Sequence, residues 1–325
     1  MALEKELTFE AAQLTHVGQL RQVNQDASLI DMGVFAVADG MGGHAAGDIA
    51  AALAVEELGK VIRMASVDDL VGAVKDANTA ITRRAAGDAD LQGMGTTVVA
   101  LASFVEGDAQ QLALVNVGDS RGYLFRGGEL KQLTEDHSLV ADLVRDGMLR
   151  PDQAEQHPQR NVITRALGIG ADVQVDSWVH SPESGDRFLL CSDGLFNEVS
   201  EAEIARVLGE VAWPEDAVAQ LVDMANEAGG RDNITVLIVD AVDPDNDDRE
   251  ARAETAATGA ADVADADLDS PDPTDDDHQE AASESSNGEP ADPVTEAEGS
   301  EPEQKRGLMG RLRGRKKGNP SDGAA

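Results

Sequence analysis

One cysteine, Cys191, stands among 325 residues. No intramolecular disulfide is possible, and a cysteine-built zinc site is excluded. The six histidines, at 16, 44, 137, 157, 180 and 278, form no i,i+4 ligand pair, which disfavours zinc altogether. Cations are scarce as well: 26 Lys and Arg face 62 Asp and Glu, a formal net charge of −36. A chain this acidic repels nucleic acid and anionic membrane over most of its surface. No apolar run approaches the ~18 residues of a membrane span. Met1–Glu10 lacks the basic and then apolar pattern of a secretory leader. The expectation is a cytoplasmic protein of one or two domains.

Aromatic residues are few, and their distribution sets the main boundary. All nine lie between Phe9 and Trp213, and the last apolar run is Ile234–Val239. Residues 241–304 hold 22 acidic and 2 basic side chains and no aromatic. So much like charge with so little apolar surface cannot offset chain entropy, so 241–304 is expected to be an acidic disordered linker or tail. From Lys305 the sign flips, with 7 basic residues against 1 acidic, making 305–325 a basic disordered tail. Residues 1–240, expected to form the one folded domain, carry the remaining −22.

Within 1–240, period-two and period-3.6 patterns alternate in blocks. Strands are expected at 28–38, 96–104, 110–117, 121–126, 129–133, 172–179, 187–192 and 234–240, with Gly127-Gly128 as a hairpin turn. Helices are expected at 44–62, 67–86, 138–146, 201–208 and 215–228. Ser66-Val-Asp-Asp69 and Ser200-Glu-Ala-Glu203 open two of them as capping boxes, and Gly229-Gly230 closes the last. Two consecutive helices followed by four consecutive strands argue for an α+β protein with antiparallel sheets rather than βαβ units.

Four apolar strands carry an aspartate at one end: Val34–Asp39-Gly40, Leu112–Asp119-Ser120, Phe188–Asp193-Gly194, and Asp232-Asn233 leading into Ile234. A lone Asp-Gly is only a turn signal, as Asp146-Gly147 and Asp322-Gly323 illustrate. Four strand-end carboxylates together repel one another unless cations hold them, and hard oxygen ligands select Mg²⁺ or Mn²⁺. Arg21, ahead of the first strand, offers a guanidinium fork matched to phosphate. Carboxylate-held cations beside an arginine point to metal-assisted phosphoryl transfer to water. Cys191 lies inside an apolar strand and reads as a packed core thiol rather than a nucleophile.

Asp39-Gly-Met-Gly-Gly-His44, Gly93-Met-Gly-Thr-Thr97, Gly118-Asp-Ser-Arg-Gly-Tyr123, Cys191-Ser-Asp-Gly194 and Asp232-Asn233 stand in one order and spacing. In this the chain resembles the metal-dependent protein phosphatases of type 2C, over roughly residues 8–240. His157-Pro-Gln-Arg160 to Arg165-Ala-Leu167 looks like the flap of the bacterial members. The resemblance implies a four-layer αββα sandwich of two antiparallel sheets with helices on the outer faces. It also implies a binuclear Mn²⁺ or Mg²⁺ centre at one edge of the sandwich. In that likeness Asp39 bridges both metals, the Gly40 carbonyl ligates one, and Asp193 and Asp232 hold the second. Asp119 helps hold a weaker third ion together with Asp193, and Arg21 clamps the phosphate. The implied chemistry is in-line attack by a metal-bridging hydroxide on phosphoserine or phosphothreonine in proteins, with no phosphoenzyme. The implied partners are phosphoproteins, a serine/threonine kinase and its substrates, met by a monomer.

Gln25, Asp26, His44 and Asn161 are the outer-shell or flap candidates. Gln25 replaces the family's usual Glu, dropping a charge from a water-mediated contact. Met41 follows Asp-Gly where eukaryotic relatives place a histidine, so no general acid is assigned. His44 fits helix packing or capping better than acid catalysis. Asn161 fits either a carbonyl ligand to the third ion or a plain loop role. Two other classes compete: a catalytically weak regulatory or binding relative, and a two-metal nuclease. Intact Asp39, Asp193 and Asp232 argue against the first; the −22 charge argues against the second, with no nucleic acid at the catalytic domain. The basic tail, with Leu308, Met309 and Leu312 among its cations, either touches an anionic surface or folds back on its acidic neighbour.

Overall fold

The computed structural model describes residues 6–42, 46–154 and 156–245. All belong to one unit, Met1–Ser270, while a second, Pro271–Ala325, lies outside the described residues, as does everything expected of the tails beyond 245.

Eleven strands are described: β1 (Thr8–His16), β2 (Asp26–Asp31), β3 (Val34–Met41), β4 (Gly95–Thr96), β5 (Val98–Glu106), β6 (Ala109–Val117), β7 (Arg121–Arg126), β8 (Glu129–Gln132), β9 (Asp176–His180), β10 (Arg187–Cys191) and β11 (Ile234–Val242). One sheet runs β1-β11-β10-β7-β8 and the other β2-β3-β5-β6-β9, with β4 beside β3. Every pairing is antiparallel. Seven helices accompany them: α1 (Ala46–Leu58), α2 (Val67–Ala86), α3 (Leu139–Arg145), α4 (Pro151–Ala154), α5 (Asp193–Phe196), α6 (Glu201–Glu210) and α7 (Pro214–Ala228).

The period-two alternation of the strands sorts their side chains into three cores, which makes the molecule four layers deep. Phe35, Val37, Val99, Leu101, Leu112 and Leu114 of one sheet meet Phe188, Leu190, Leu237 and Val239 of the other. The alternate residues point outward. Ala36, Ala38, Ala100, Ala102 and Ala113 pack with Ala50, Ala51 and Ala54 of α1 and with Ala73 and Ala77 of α2. So many methyl-sized side chains let helix and sheet backbones approach closely. On the far side Leu189, Cys191, Val236 and Ile238 pack against α6 and α7 through Ile204, Val207, Leu221 and Val222. This is the expected αββα sandwich.

Both capping boxes form. The Asp69 carboxylate accepts from the Ser66 amide (3.1 Å), and Ser200 and Glu203 bond reciprocally (3.1 and 3.3 Å). Gly127 and Gly128 turn β7 into β8 with positive φ at both positions.

Several expectations are corrected. The helix expected at 44–62 ends at Leu58, and the strand expected at 234–240 runs on to Val242. The run at 28–38 is a hairpin of two strands, turned by Met32 and Gly33, both at positive φ. Without Asn-Gly or Asp-Gly there, the sequence carries no turn signal. Strand β1 was not expected, because its half-exposed, mixed side chains show no clean alternation. The run at 172–179 becomes strand only from Asp176.

Candidate active site

The antiparallel registers place the motif residues at one end of the sandwich. Strands β3, β6 and β10 finish there, and β2, β7 and β11 begin there. Asp26 opens β2 directly opposite Asp39. Asp119 and Asp193 lie just past the ends of β6 and β10, and Asp232 lies two residues ahead of β11.

Hydroxyl groups beside each aspartate fix the backbone. The Asp39 amide donates to Thr97 Oγ1 (3.0 Å), and its carbonyl accepts from Thr97 N–H (2.9 Å) and Thr96 Oγ1 (2.9 Å). Thr97 Oγ1 also meets Ser120 Oγ at 2.7 Å, which joins the Asp39 and Asp119 turns. Asp26 Oδ2 accepts from Ser192 Oγ (2.8 Å) and Thr235 Oγ1 (2.7 Å), while its Oδ1 is buried with no hydrogen-bond partner. Asn233 closes the other side. Its Oδ1 accepts from Gln25 N–H (2.8 Å), and its Nδ2 donates to the Val17 and Val23 carbonyls, pinning the loop that carries Arg21. Behind Asp232, the almost fully buried Glu198 takes both forks of Arg231 at 2.8 Å, which draws its carboxyl below the ordinary range. Arg121 donates bidentately to Asp136 and stacks 3.8 Å from the Phe196 ring, bracing the Asp119 and Asp193 turns. Thr97, Ser120, Arg121, Ser192 and Asn233 stand inside the motifs but were given no supporting role from the sequence. A hydroxyl or amide adjoins Asp119, Asp193 and Asp232, while Asp39, between Ala38 and Gly40, has none.

The carboxyls act on one another. Burial, then the charges of Asp26, Asp193, Asp119 and Asp232, push Asp39 well above the usual carboxylate range. Burial, Asp119, Asp232 and Asp26 raise Asp193 to about 8, with Arg21 opposing. Burial first, then Asp136, raises Asp119 to about 6; Asp26 reaches about 6 mainly through burial. Among the described residues no three Asp, Glu, His or Cys side chains form a ready-made cage around one ion. The carboxyls instead line a shared cleft, as suits ions that keep part of their water. An all-oxygen donor set, mutual repulsion and an orphaned buried Asp26 Oδ1 fit hard divalent cations, and Mn²⁺ or Mg²⁺ in particular.

The other expected residues are placed as follows. Arg21 Nη2 donates to Asp232 Oδ2 at 2.6 Å, with the Arg21 side chain half exposed at the cleft rim. A Cβ on Gly40 would fall 2.2 Å from the Gly47 carbonyl oxygen and 2.4 Å from that of Gln25, so only glycine fits. The Gln25 side chain lies against Gly47 at the start of α1. Asn161 is exposed in a turn, and no described hydrogen bond brings it to the carboxylates. His44 lies outside the described residues. Cys191 is fully buried, and burial raises its thiol pKa, as an inert core group requires.

Residues 16–229 match the family model described as protein phosphatase 2C. The chain belongs to the protein phosphatase 2C family. It is 40% identical over 232 residues to the serine/threonine protein phosphatase PstP of Mycobacterium tuberculosis, covering 70% of this chain but 44% of that protein. It is 38% identical over 239 residues to the serine/threonine phosphatase stp of Listeria monocytogenes, covering 70% of this chain and 93% of that one. The crystal structure of the PstP catalytic domain in complex with two manganese ions superposes with a TM-score of 0.66 at 36% identity, over 73% of this chain and all of that one. This chain thus spans under half the length of the mycobacterial relative and nearly all of the listerial one.

Proposed function

We propose that the chain hydrolyses phosphoserine and phosphothreonine in proteins, using two Mn²⁺ or Mg²⁺ ions. Asp39, the Gly40 carbonyl, Asp193 and Asp232 would hold the pair, and Asp119 with Asp193 a weaker third. Bound there, the cations lower the pKa of water and neutralise phosphate charge. Arg21, already at the cleft rim, orients the phosphate through the guanidinium donors that Asp232 does not use. The Thr97–Ser120 and Ser192–Asp26–Thr235 bonds hold the ligand-bearing turns in place before substrate arrives. One observation carries the reading: strand-end aspartates from both sheets gather at one end of the sandwich, with Arg21 bonded to Asp232 among them. The phosphatase relatives support the substrate class, and a serine/threonine kinase is the natural counterpart. The catalytic domain extends past the expected end at 240 to the end of β11 at Val242, and acts in the cytoplasm and in signal transduction; the rest of 241–304, and 305–325, are appendages to it.

The test is hydrolysis of p-nitrophenyl phosphate and of a phosphopeptide panel, with and without Mn²⁺. Turnover is expected only with the metal, and Asp193→Asn is expected to abolish it. An active Asp193→Asn protein would remove Asp193 from the site.

A further inference from the structure

Gly118, which directly precedes Asp119, is held from three directions. Its amide donates to His137 Nδ1 (2.9 Å), and its carbonyl accepts from the His137 amide (2.9 Å) and from Asn116 Nδ2 (3.2 Å). It sits at φ +112°, and a Cβ there would meet Thr97 at 2.5 Å, so the turn has little freedom. His137 is 3% exposed, and its Nε2 lies 3.0 Å from Asp176 Oδ2. Arg165 Nη1 donates to Asp176 Oδ1 at 2.6 Å and sits 2.9 Å from the same imidazole nitrogen. Because Nδ1 must accept from Gly118, the ring proton resides on Nε2, facing Asp176. Of the Gly118 and Asp176 contacts, only the neutral Nε2–H tautomer satisfies both; Arg165 Nη1 then donates to Asp176 and is a neighbour of the ring, not its hydrogen-bond donor. The same residues tie down residues 162–167. Thr164 N–H donates to the His137 carbonyl (2.8 Å), and Leu167 pairs with Thr96, whose hydroxyl donates to the Asp39 carbonyl.

We propose that His137 is a positioning residue for Asp119. Asp176 sets its tautomer, the ring fixes Gly118, and Gly118 aims the Asp119 carboxylate into the cleft. Ion affinity at Asp119 is thereby coupled to the seating of Arg165 and its neighbours. The inference rests on the metal-dependent reading above. It is a carboxylate–histidine pair that holds the residue beside a ligand, one step further out than the groups hydrogen-bonded to a ligand itself, whose substitution commonly costs 10- to 100-fold in metal affinity.

Asp176→Asn tests it at constant volume. The amide keeps its oxygen for Arg165 and turns its N–H₂ toward His137, which moves the ring proton to Nδ1, against the Gly118 amide. Two measurements are read together: ring ¹⁵N shifts of His137 by NMR, and Mn²⁺ binding by calorimetry on the full chain. The wild type is expected to show protonated Nε2. The variant is expected to show protonated Nδ1 and ~10-fold weaker binding at the weakest Mn²⁺ step. The stronger steps stay unchanged. His137→Gln, which keeps an acceptor but loses the relay, is the second variant, and its weakest step is expected to weaken likewise. Full-strength binding in both variants would overturn the proposal, as would a wild-type ring protonated at Nδ1. If the wild type itself bound no Mn²⁺, the functional reading would fall first, so the two failures are distinguishable.

Discussion

Arg187 is fully buried, yet all five of its N–H donors are matched. Nε and Nη2 meet the two Asp240 oxygens at 2.7 Å, while Leu208, Val211 and Ala212 carbonyls at the end of α6 take the rest at 2.6–3.0 Å. A guanidinium without its partners there would be prohibitively costly, and so would its carboxylate alone. Arg187→Met is therefore expected to lower unfolding free energy by about 3–5 kcal/mol, while Arg187→Met with Asp240→Leu recovers only the part due to the orphaned carboxylate, because three carbonyls stay unpaired. Urea denaturation of the three proteins checks this; a single variant as stable as wild type would deny the pair its role. Nothing in the sequence announced this contact. Arg187 opens β10 and Asp240 lies two residues inside the end of β11, and only the register of the two strands sets them opposite each other. The aspartates of the cleft were legible because each stands where an apolar run stops. The roles of their supports were not, because Thr97, Ser192, Thr235 and Asn233 act across 58 to 216 residues of chain.

Helices were the most readable elements. The expected 67–86 coincides with α2, since Ser66 and Asp69 mark its start and its apolar face keeps the helical period. Strands were read less well where burial on both faces or exposure on both erased the alternation, as in β1. The β2–β3 hairpin shows why a turn can hide. Met32 takes φ +43°, a position that favours Asn or Gly, and is largely exposed. Left-handed backbone costs a β-carbon-bearing residue roughly 1 kcal/mol. Met32→Asn is expected to raise the unfolding free energy by up to about 1 kcal/mol, read as a higher urea midpoint with unchanged m. A lower midpoint would mean that the Met32 side chain contributes packing that outweighs the strain.

At the scale of the whole molecule, the cleft sets the stability against pH. Asp193 near 8 and Asp39 well above its ordinary value bind protons more tightly folded than unfolded, where carboxyls titrate near ~3.9. Such groups contribute stability fully present below the unfolded value and lost as pH rises through the folded one. Metal-free protein is therefore expected to melt lower at pH 8.5 than at pH 6.5, in EDTA. Bound Mn²⁺ reverses the loss, adding about 2.7 kcal/mol at one hundred times Kd. Differential scanning calorimetry across that range, with and without Mn²⁺, decides it. A flat metal-free profile would mean that the carboxyls do not repel as described.

The pairing of the first strand with the last has a consequence for how the protein is made. Strand β11 lies between β1 and β10, and Asp232 and Asn233 close the cleft from its leading edge. A ribosome releasing the chain from its N-terminus thus exposes β1 and β10 before the strand that joins them exists. Non-local strand pairing of this kind is slow and cannot begin early. No partial translation product down to the loss of residues 232–242 can assemble the cleft. Cation uptake is then a late event, which sets in only when nearly the whole sandwich has left the exit tunnel.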